Sequence, residues 1–258
     1  MLLLLSPAKS LDYTSPLPDL VATKPRFADE ALATAQAAAK LGARKLAKLM
    51  SISDKLAKLN AERYAGFADQ EERPALYAFA GDVYVGLEAR SLHEPAIRFA
   101  QNHVRILSGL YGLLRPLDLI RPYRLEMGTR WAPGRKKSLY QLWGSKISDA
   151  ISADLLAEGS DVVINCASKE YWHAVEQAPP KGVRIITIDF REEGPNGLTF
   201  NSFGAKRARG MMARWMCEHH ITDTEALKGF DSDGYAFAGE GSDQSVWRFV
   251  RSRQQMAA

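Results

Sequence analysis

Short apolar runs of strand length alternate along the chain with longer amphipathic stretches. Residues 2–5 and 162–168 are such runs, and their continuous apolar character is typical of strands buried on both faces of a sheet. Residues 184–192 and 198–203 predict two further strands around a turn at residues 193–197 that contains glycine and proline. The tail, at about residues 235–253, predicts a hairpin. The pattern therefore predicts a sheet of several strands.

Apolar residues at helical spacing predict helices between these strands. The helices are predicted at about residues 27–50, 54–67, 94–107, 138–157, 169–178 and 206–220, with a short one inside 75–90. No internal repeat, low-complexity segment or linker separates them. Because strands and helices mix throughout, we predict one domain, residues 1–258, of the mixed α/β class, with a central mixed sheet surrounded by helices.

The composition indicates a soluble globular protein that can build one large core or two small ones. Of the 258 residues, 46% are hydrophobic and 25% are charged, which are ordinary values for globular domains. The first apolar run is too short for a signal peptide, and no run approaches the roughly 20 apolar residues of a membrane helix. Two cysteines are too few for a disulfide framework and indicate a reducing compartment. We therefore expect a cytoplasmic protein with no membrane partner.

The basic charge is unevenly distributed, although the formal net charge is only +4. Cations are in excess at residues 40–63, 98–137 and 206–214. The second of these stretches carries nine Lys/Arg against two acids and mixes its arginines with leucine and tyrosine. Such a mixture favours a half-buried cationic groove, because guanidinium binds phosphate and carboxylate in a forked geometry. An amphipathic helix followed by a basic loop is the alternative.

The three basic stretches would form one positively charged cleft if the fold brings them together. A cleft of this kind suits a polyanion, above all nucleic acid. The hypothesis requires that the cations are not neutralised by carboxylates of their own. The candidate anion ligands in the second and third stretches are Arg115, Arg121, Arg124, Lys206 and Arg209.

Residues 46–64 have the spacing of a helix-hairpin-helix element, in which two helices flank a tight turn centred on Ile52. In that element, backbone N–H groups of the turn and the positive end of the second helix hold a phosphate. Serines stand where glycine normally permits the backbone angles of the turn. The alternative is a capping box from Ser51 to Asp54 that joins two structural helices. The candidate phosphate contacts are Ser51, Ser53, Lys55 and Lys58.

Ser6 and Lys9 follow the first predicted strand directly. Binding crevices of open α/β sheets lie at the carboxyl ends of the strands. The Ser–Lys spacing also occurs in some acyl-transfer enzymes, but the partner motifs of those enzymes are absent from this sequence. A lysine in a cationic cleft can act as a nucleophile or can simply bind an anion.

A set of polar residues elsewhere completes the predicted cleft. Glu126 and Glu170 can do acid–base chemistry or can serve as counter-ions for the arginines. No catalytic residue is assigned, and the candidates are Lys9, Asp12, Asp82, Glu126 and Glu170. The other candidate cleft residues are Ser6, Tyr84, Asn165 and Ser168.

The sequence contains no recognisable motif for a metal or a nucleotide cofactor. Three histidines stand alone, and the adjacent pair His219 and His220 would point to different faces of a helix. No HxxxH, HExxH, P-loop or GxGxxG pattern occurs. We therefore expect no metal site and no cofactor.

Seven segments of the chain together resemble one protein family. They are SPAKSLDY, ISDKLAKLNAERY, FAGDVYVGL, LSGLYGLLRPLDLIRPYRLEMGTR, LYQLWG, VVINCASKEY and KRARGMM, and the resemblance extends from residue 1 to about residue 251. Their order and spacing are similar to those of the YaaA family, the bacterial peroxide stress resistance proteins. A match of seven such segments is far more specific than any single short motif.

The resemblance implies a cytoplasmic single-domain α/β protein with a basic cleft and a helix-hairpin-helix-like element that binds DNA. It also implies a role in the hydrogen peroxide response that limits free intracellular iron. No settled catalytic activity comes with the family. Carried onto this chain, the cleft signatures are Ser6, Lys9, Asp12, Asp82, Tyr84, Arg115, Arg124, Glu126, Ser168, Glu170, Lys206 and Arg209.

We therefore expect a sequence-nonspecific DNA-binding protein of the peroxide response. Its expected partner is double-stranded or branched DNA, with no obligate protein partner. The alternative from another class is an enzyme that processes nucleic acid or nucleotides, for example a DNA glycosylase/lyase in which Lys9 forms a Schiff base with deoxyribose. Direct iron sequestration by Asp, Glu and His is a third hypothesis.

Overall fold

One mixed β-sheet organises the computed structural model, which describes residues 1–241 and 244–253. The strands are β1 (Leu2–Leu5), β2 (Arg73–Pro74), β3 (Val104–Ser108), β4 (Gly112–Leu114), β5 (Leu119–Ile120), β6 (Val162–Asn165), β7 (Arg184–Gly194), β8 (Gly197–Thr199), β9 (Tyr235–Glu240) and β10 (Val246–Arg251). The helices are α1 (Ala28–Ala39), α2 (Gly42–Met50), α3 (Asp54–Ala65), α4 (Ala75–Ala78), α5 (Asp82–Leu87), α6 (Glu94–His103), α7 (Leu139–Trp143), α8 (Lys146–Ala157), α9 (Lys169–Glu176), α10 (Ser202–Glu218) and α11 (Thr224–Leu227). The predicted class, a mixed α/β domain with a central mixed sheet, is confirmed.

The order of the strands creates a crevice beside β1. The sheet runs β4-β3-β1-β6-β7-β10-β9, and β8 pairs with β7 at one end. Strands β3, β1, β6, β7 and β10 are parallel, whereas β4, β8 and β9 are antiparallel to their neighbours. The chain passes from β1 to β3 on one side and later returns to β6 on the other side. Ligands of open α/β sheets bind outside the carboxyl ends of strands at such a reversal of order.

The core is built around β1 and the helices on the two faces of the sheet. All four leucines of β1 are 0% exposed, as expected for a central strand between parallel neighbours. Helices α5 and α10 approach each other backbone to backbone at two glycines. A Cβ atom on Gly210 would lie 1.7 Å from the carbonyl oxygen of Val83, and one on Gly86 would lie 2.0 Å from that of Arg207. This contact fixes the position of α10 beside the sheet.

Two predicted long helices are each two helices in the structure. Residues 27–50 form α1 and α2, and Gly42, the first residue of α2, has a φ of +71°. Residues 138–157 form α7 and α8, which are separated at Gly144 with a φ of +50°. Glycine adopts a positive φ at little cost, so the chain changes direction at Gly42 where α2 begins and at Gly144 where α7 ends.

The helix predicted at 94–107 is confirmed up to His103 and is wrong in its last four residues. Helix α6 ends at His103, and residues Val104–Ser108 form β3, which pairs in parallel with β1. All five residues of β3 are buried. Pairing with a strand about a hundred residues away is a tertiary interaction, which local periodicity does not reveal.

The C-terminal third agrees with its predicted strands except at one end. The predicted strand at 198–203 is short, because β8 ends at Thr199 and Asn201 caps α10 by accepting hydrogen bonds from the backbone of Phe203 and Gly204. Strands β9 and β10 form the predicted hairpin. Residues 242–243 of its predicted turn and residues 254–258 of the predicted domain lie outside the described residues. No helix in the described part of the chain is long and apolar enough to cross a membrane.

Candidate functional site

Ser6 and Ser168 meet where the carboxyl ends of β1 and β6 lie side by side. The backbone N–H of Ser168 donates to the Ser6 hydroxyl at 2.9 Å, and the Ser6 hydroxyl donates to that of Ser168 at 3.3 Å. The hydroxyl of Tyr84 donates to the carbonyl oxygen of Ser6 at 3.2 Å. Burial raises the pKa of Tyr84 well above its ordinary value, so this phenol stays protonated. These three predicted cleft residues lie together and fix the strand ends.

Lys9, Arg124 and Glu126 form an ion-pair cluster beside this crevice. The Nζ of Lys9 lies 3.7 Å from Oε1 of Glu126, and Nε of Arg124 donates to the same oxygen at 3.0 Å. The second oxygen, Oε2, is buried and has no hydrogen-bond partner among the described residues. The Lys9 side chain is 66% exposed, whereas that of Glu126 is 15% exposed. The cluster therefore presents an accessible amine next to a shielded carboxylate.

Two other carboxylate candidates, Glu170 and Asp12, accept hydrogen bonds that hold the backbone in place. Glu170 accepts a hydrogen bond from the backbone N–H of Gly128 at 2.9 Å. Asp12 accepts hydrogen bonds from the backbone of the turn after it, at Thr14 and Ser15, and pairs with Arg90 at 2.9 Å. Hydrogen bonds from Ser15, together with those from Thr14 and Arg90, hold the pKa of Asp12 well below its usual range. A carboxylate that stays ionised in this way is poorly suited to accept a proton in a reaction.

A cavity of about 710 Å³ lies beside this crevice, between the carboxyl half of β6, β7, α9 and α10. Asn165 lines it and is held by hydrogen bonds to Thr187 and to the backbone N–H of Ala167. Lys206 lines it too and lies 3.7 Å from Asp82 at the start of α5. Four lining side chains that the sequence analysis did not single out are Lys169, Trp172, Arg191 and Phe200. The sequence signal for this part of the wall is an aromatic residue, Phe200, shortly before the basic run that begins at Lys206 in α10.

Arg209 is the unusual member of the cavity wall. Its Nε is buried and has no hydrogen-bond partner, and its guanidinium has no ion pair with any described residue. Burial lowers the pKa of Arg209, but an arginine remains charged at any physiological pH. Asp189 lines the same cavity and attracts Arg209 electrostatically, but its ion pairs are with Arg191 and Arg248. A largely buried cation therefore lies in the cavity wall without an ion pair from the described chain.

Most arginines of the stretch 98–137 are neutralised by carboxylates. The paired atoms lie 2.5–3.0 Å apart in the pairs Arg98–Glu94, Arg105–Asp154, Arg115–Asp118, Arg121–Glu72 and Arg124–Glu126. The predicted groove of free arginines is therefore corrected, because Arg115, Arg121 and Arg124 each already have a counter-ion. The alternative, an amphipathic helix followed by a basic loop, is correct only for the helix up to His103, because residues 104–108 form strand β3. The four cations of residues 130–137 have no ion pair in the described part of the chain.

Helices α2 and α3 are joined by residues 51–53. Ser51 has a left-handed φ of 51°, the conformation for which glycine is usual, and Ser53 caps α3 by accepting from the backbone N–H of Leu56 at 3.4 Å. The alternative capping box from Ser51 to Asp54 is therefore wrong, because the cap is formed two residues later. Six exposed cations of this region form no ion pair with a described residue: Lys40, Arg44, Lys45, Lys48, Lys55 and Lys58.

Neither metal-binding groups nor reactive thiols stand out in the described chain. Residues 1–241 and 244–253 hold no group of three or more His, Cys, Asp or Glu side chains placed to bind a metal. Cys166 and Cys217 are free and buried, and burial raises the pKa of each thiol to about 12. They are therefore uncharged thiols at neutral pH.

The sheet order and the crevice at its reversal define an open-sheet α/β protein with a strand-end cavity whose wall includes Lys206 and Arg209. Comparison with known proteins assigns the family. A family model described as Peroxide stress protein YaaA matches residues 1–240, and the chain belongs to this family. The predicted resemblance is confirmed.

Close relatives match over nearly the full length. A UPF0246 protein of Rhizorhabdus wittichii is 84% identical over 253 residues, which cover 98% of this chain and 100% of the relative. UPF0246 proteins of Aliivibrio fischeri and Neisseria meningitidis are each 46% identical, over 98% of this chain and 99% of the relative.

Proposed function

We propose that this protein binds DNA through its phosphates, without reading base sequence, as part of the peroxide stress response. The observation that carries the proposal is the set of six exposed, unpaired cations of α2, α3 and the residue after α1. Lys45 and Lys48, like Lys55 and Lys58, are three residues apart on a helix, so each pair can contact neighbouring phosphates. Phosphate contacts position a protein on DNA and carry no sequence information.

The start of α3 can add backbone donors to this charge. A helix-hairpin-helix element uses the N–H groups of its turn and the start of its second helix to hold a phosphate. Here the N–H groups of Ser51 and Ile52 already donate to the carbonyl oxygen of Ala47, so the positive end of α3, which Ser53 caps, is the part that would hold a phosphate. The partner would be double-stranded or branched DNA in the cytoplasm.

The proposed benefit in peroxide stress follows from where radicals form. Iron bound to DNA converts peroxide into radicals beside the bases. A protein that covers the phosphates displaces cations from them, because phosphate neutralisation releases the bound counter-ions. Radicals would then form away from the bases, so the DNA would be protected. Counter-ion release does not remove iron from the cell, so the proposed limit on free intracellular iron is a separate part of the role.

The decisive experiment is a salt titration of duplex binding by fluorescence anisotropy. The logarithm of the binding constant should fall linearly with the logarithm of salt concentration, with a slope of about −0.9 for each phosphate contact. The double variant Lys55→Gln/Lys58→Gln should reduce the steepness by about 2 × 0.9, equally on unrelated sequences. Arg98→Gln is the matched control, because this exposed arginine is already paired with Glu94. If the duplex affinity of the wild-type protein did not change with salt concentration, the proposal would be contradicted.

A second candidate function rests on Lys9. Its exposed amine lies 3.7 Å from Glu126, next to the strand-end crevice. In a DNA lyase, such an amine attacks the aldehyde carbon of an abasic deoxyribose, water leaves, and an imine joins the protein to the DNA. Borohydride reduces that imine to a stable amine. A trapped adduct that is lost in Lys9→Ala but kept in Lys169→Ala would support this enzyme, and its absence from the wild type would count against it.

A further inference from the structure

We propose that the 710 Å³ cavity between β6, β7, α9 and α10 binds a nucleoside 5′-phosphate. The ligand is either a free nucleotide or the phosphorylated end of a DNA strand, and the second source rests on the proposed DNA binding. The volume lies within the range of small-molecule sites, which is about 300–1,000 Å³. The cavity also lies at the carboxyl ends of parallel strands, where open α/β sheets bind their ligands.

The phosphate end of the ligand is indicated by α10. Lys206 and Arg209 are three residues apart on this helix, so they lie side by side, and both line the cavity. Arg209 has no hydrogen bond or ion pair with a described residue, and its Nε is buried. Buried polar groups are almost always satisfied, and a guanidinium binds phosphate oxygens in a forked geometry. A phosphate would therefore complete the environment of Arg209.

Arg105 is a buried arginine with a structural role, and its guanidinium is well supplied with hydrogen-bond partners. Its Nε donates to Asp154 at 2.7 Å, and its NH1 donates to three backbone carbonyl oxygens at 2.8–3.1 Å. A buried Nε without a partner also occurs at Arg121 and Arg251, but these two guanidinium groups have ion pairs with carboxylates, which Arg209 lacks among the described residues. This contrast indicates that the partner of Arg209 comes from outside the described chain.

The ring of the ligand is indicated by the aromatic part of the wall. Trp172 and Phe200 line the same cavity, and Phe200 is 51% exposed. Arg191 lies 5.3 Å from the Phe200 ring centroid, but its charge is neutralised by Asp189 at 2.8 Å. Aromatic faces stack on every nucleobase, whatever its identity. Inorganic phosphate alone would leave this apolar wall uncovered, whereas a nucleotide covers both parts of the cavity.

Isothermal titration calorimetry of the full chain tests the assignment with three probes. Deoxyadenosine monophosphate should bind, while inorganic phosphate and deoxyadenosine should each bind at least tenfold more weakly. Arg209→Gln should weaken binding of the monophosphate at least tenfold. The matched control is Arg207→Gln, an exposed arginine of the same helix that lines a different, smaller cavity. Deoxyadenosine binding as tightly as its monophosphate, or equal losses in the two arginine variants, would overturn the proposal.

Thermal unfolding of each variant shows whether it is folded. If Arg209→Gln is not, Lys206→Gln takes its place, because the Lys206 side chain is 51% exposed and contributes little to packing. That variant should also weaken binding of the monophosphate, and unchanged binding would overturn the role of α10.

Competition separates the two sources of the ligand. Displacement of the monophosphate by a 5′-phosphorylated oligonucleotide, and not by its 5′-hydroxyl counterpart, assigns the strand end. Displacement by neither, with tight binding of the free nucleotide, assigns the free nucleotide. Displacement by both equally would show that the 5′-phosphate is not recognised and would overturn the proposal.

Failure here is distinguishable from failure of the proposed DNA binding. Arg209→Gln should leave affinity for an unphosphorylated duplex within twofold, whereas Lys55→Gln/Lys58→Gln should weaken duplex binding and leave monophosphate binding unchanged. If Arg209→Gln alone abolished both duplex binding and monophosphate binding, DNA and nucleotide would share one site. That result would overturn the proposal of a separate nucleotide cavity.

Discussion

The two basic regions of this protein use their charge in opposite ways. In the stretch from residue 98 to residue 124, all five arginines are paired with carboxylates. In the region from residue 40 to residue 58, six cations have no ion pair among the described residues. Both regions are basic and about half apolar in sequence, yet within these bounds only the second offers cations that have no ion pair. Charge excess along a chain is therefore a poor guide to charge available for a partner.

The difference follows from burial. Arg105 is 5% exposed and Asp118 is 1% exposed, and an unpaired charge at such a position is strongly unfavourable. The fold must therefore provide counter-ions there. The lysines of α2 and α3 are exposed to water, which solvates them without a carboxylate. Burial thus explains the pairing at Arg105 and Asp118 and leaves the exposed lysines available, whereas the exposed pair Arg98–Glu94 follows from helical spacing.

The largest expected effect comes from breaking the buried pair of the first region. Arg105→Ala leaves Asp154 with only part of its partners in a buried setting and removes hydrogen bonds to three backbone carbonyls. We expect the free energy of unfolding to fall by about 3–5 kcal/mol, measured by urea denaturation. Arg98→Ala, whose pair is exposed, should cost at most about 1 kcal/mol. Equal losses would remove the distinction between buried and surface pairs.

The next effect concerns DNA affinity in the second region. Lys45→Gln/Lys48→Gln removes two unpaired cations and should lower duplex affinity by roughly 30-fold near physiological salt, because two phosphate contacts are lost. Arg98→Gln/Arg121→Gln removes the same charge from paired positions and should change affinity less than about threefold. Anisotropy with one labelled duplex measures both. The reverse order of effects would show that the paired arginines, not the lysines, contact DNA.

A smaller effect should appear in the pH dependence of stability. The pKa of Asp12 is lowered in the folded protein, so its charged form stabilises the fold above the ordinary carboxyl pKa of about 4. This contribution is lost as the pH falls toward the lowered value. Asp12→Asn should therefore cost about 1 kcal/mol at pH 7, and the difference from wild type should shrink below about pH 4. A difference that is constant between pH 7 and pH 3 would contradict this role of the Asp12 charge.

The smallest effect tests the turn of the second region. Ser51 is left-handed with a φ of 51°, so Ser51→Gly should relieve strain and stabilise the protein by about 0.5–1 kcal/mol. If the start of α3 holds phosphate through its backbone, duplex affinity should remain within about twofold. Thermal unfolding and anisotropy measure the two quantities. A large loss of affinity would assign the contact to the serine side chain instead.

Local pattern determined a good part of the molecule. The apolar runs of β1 and β6, the start of α3 at Asp54 and the turn between β7 and β8 were all predictable, because strand and helix periodicity are properties of neighbouring residues. The family was also evident from seven ordered segments. The position of Ser6 and Ser168 in one crevice followed from their location directly after two strands of the same sheet.

Tertiary structure decided the charge pairs that join distant parts of the chain. The partner of Arg105 is 49 residues away along the chain, and Ser6 and Ser168 are 162 residues apart. Nothing local to Arg121 shows that Glu72 is its partner, or that Arg209 has no ion pair with a described residue. The same is true of β3, which became a strand through pairing with β1. Sequence specifies the type and spacing of side chains, whereas contacts across the fold set their burial and counter-ions, because these depend on how distant segments pack.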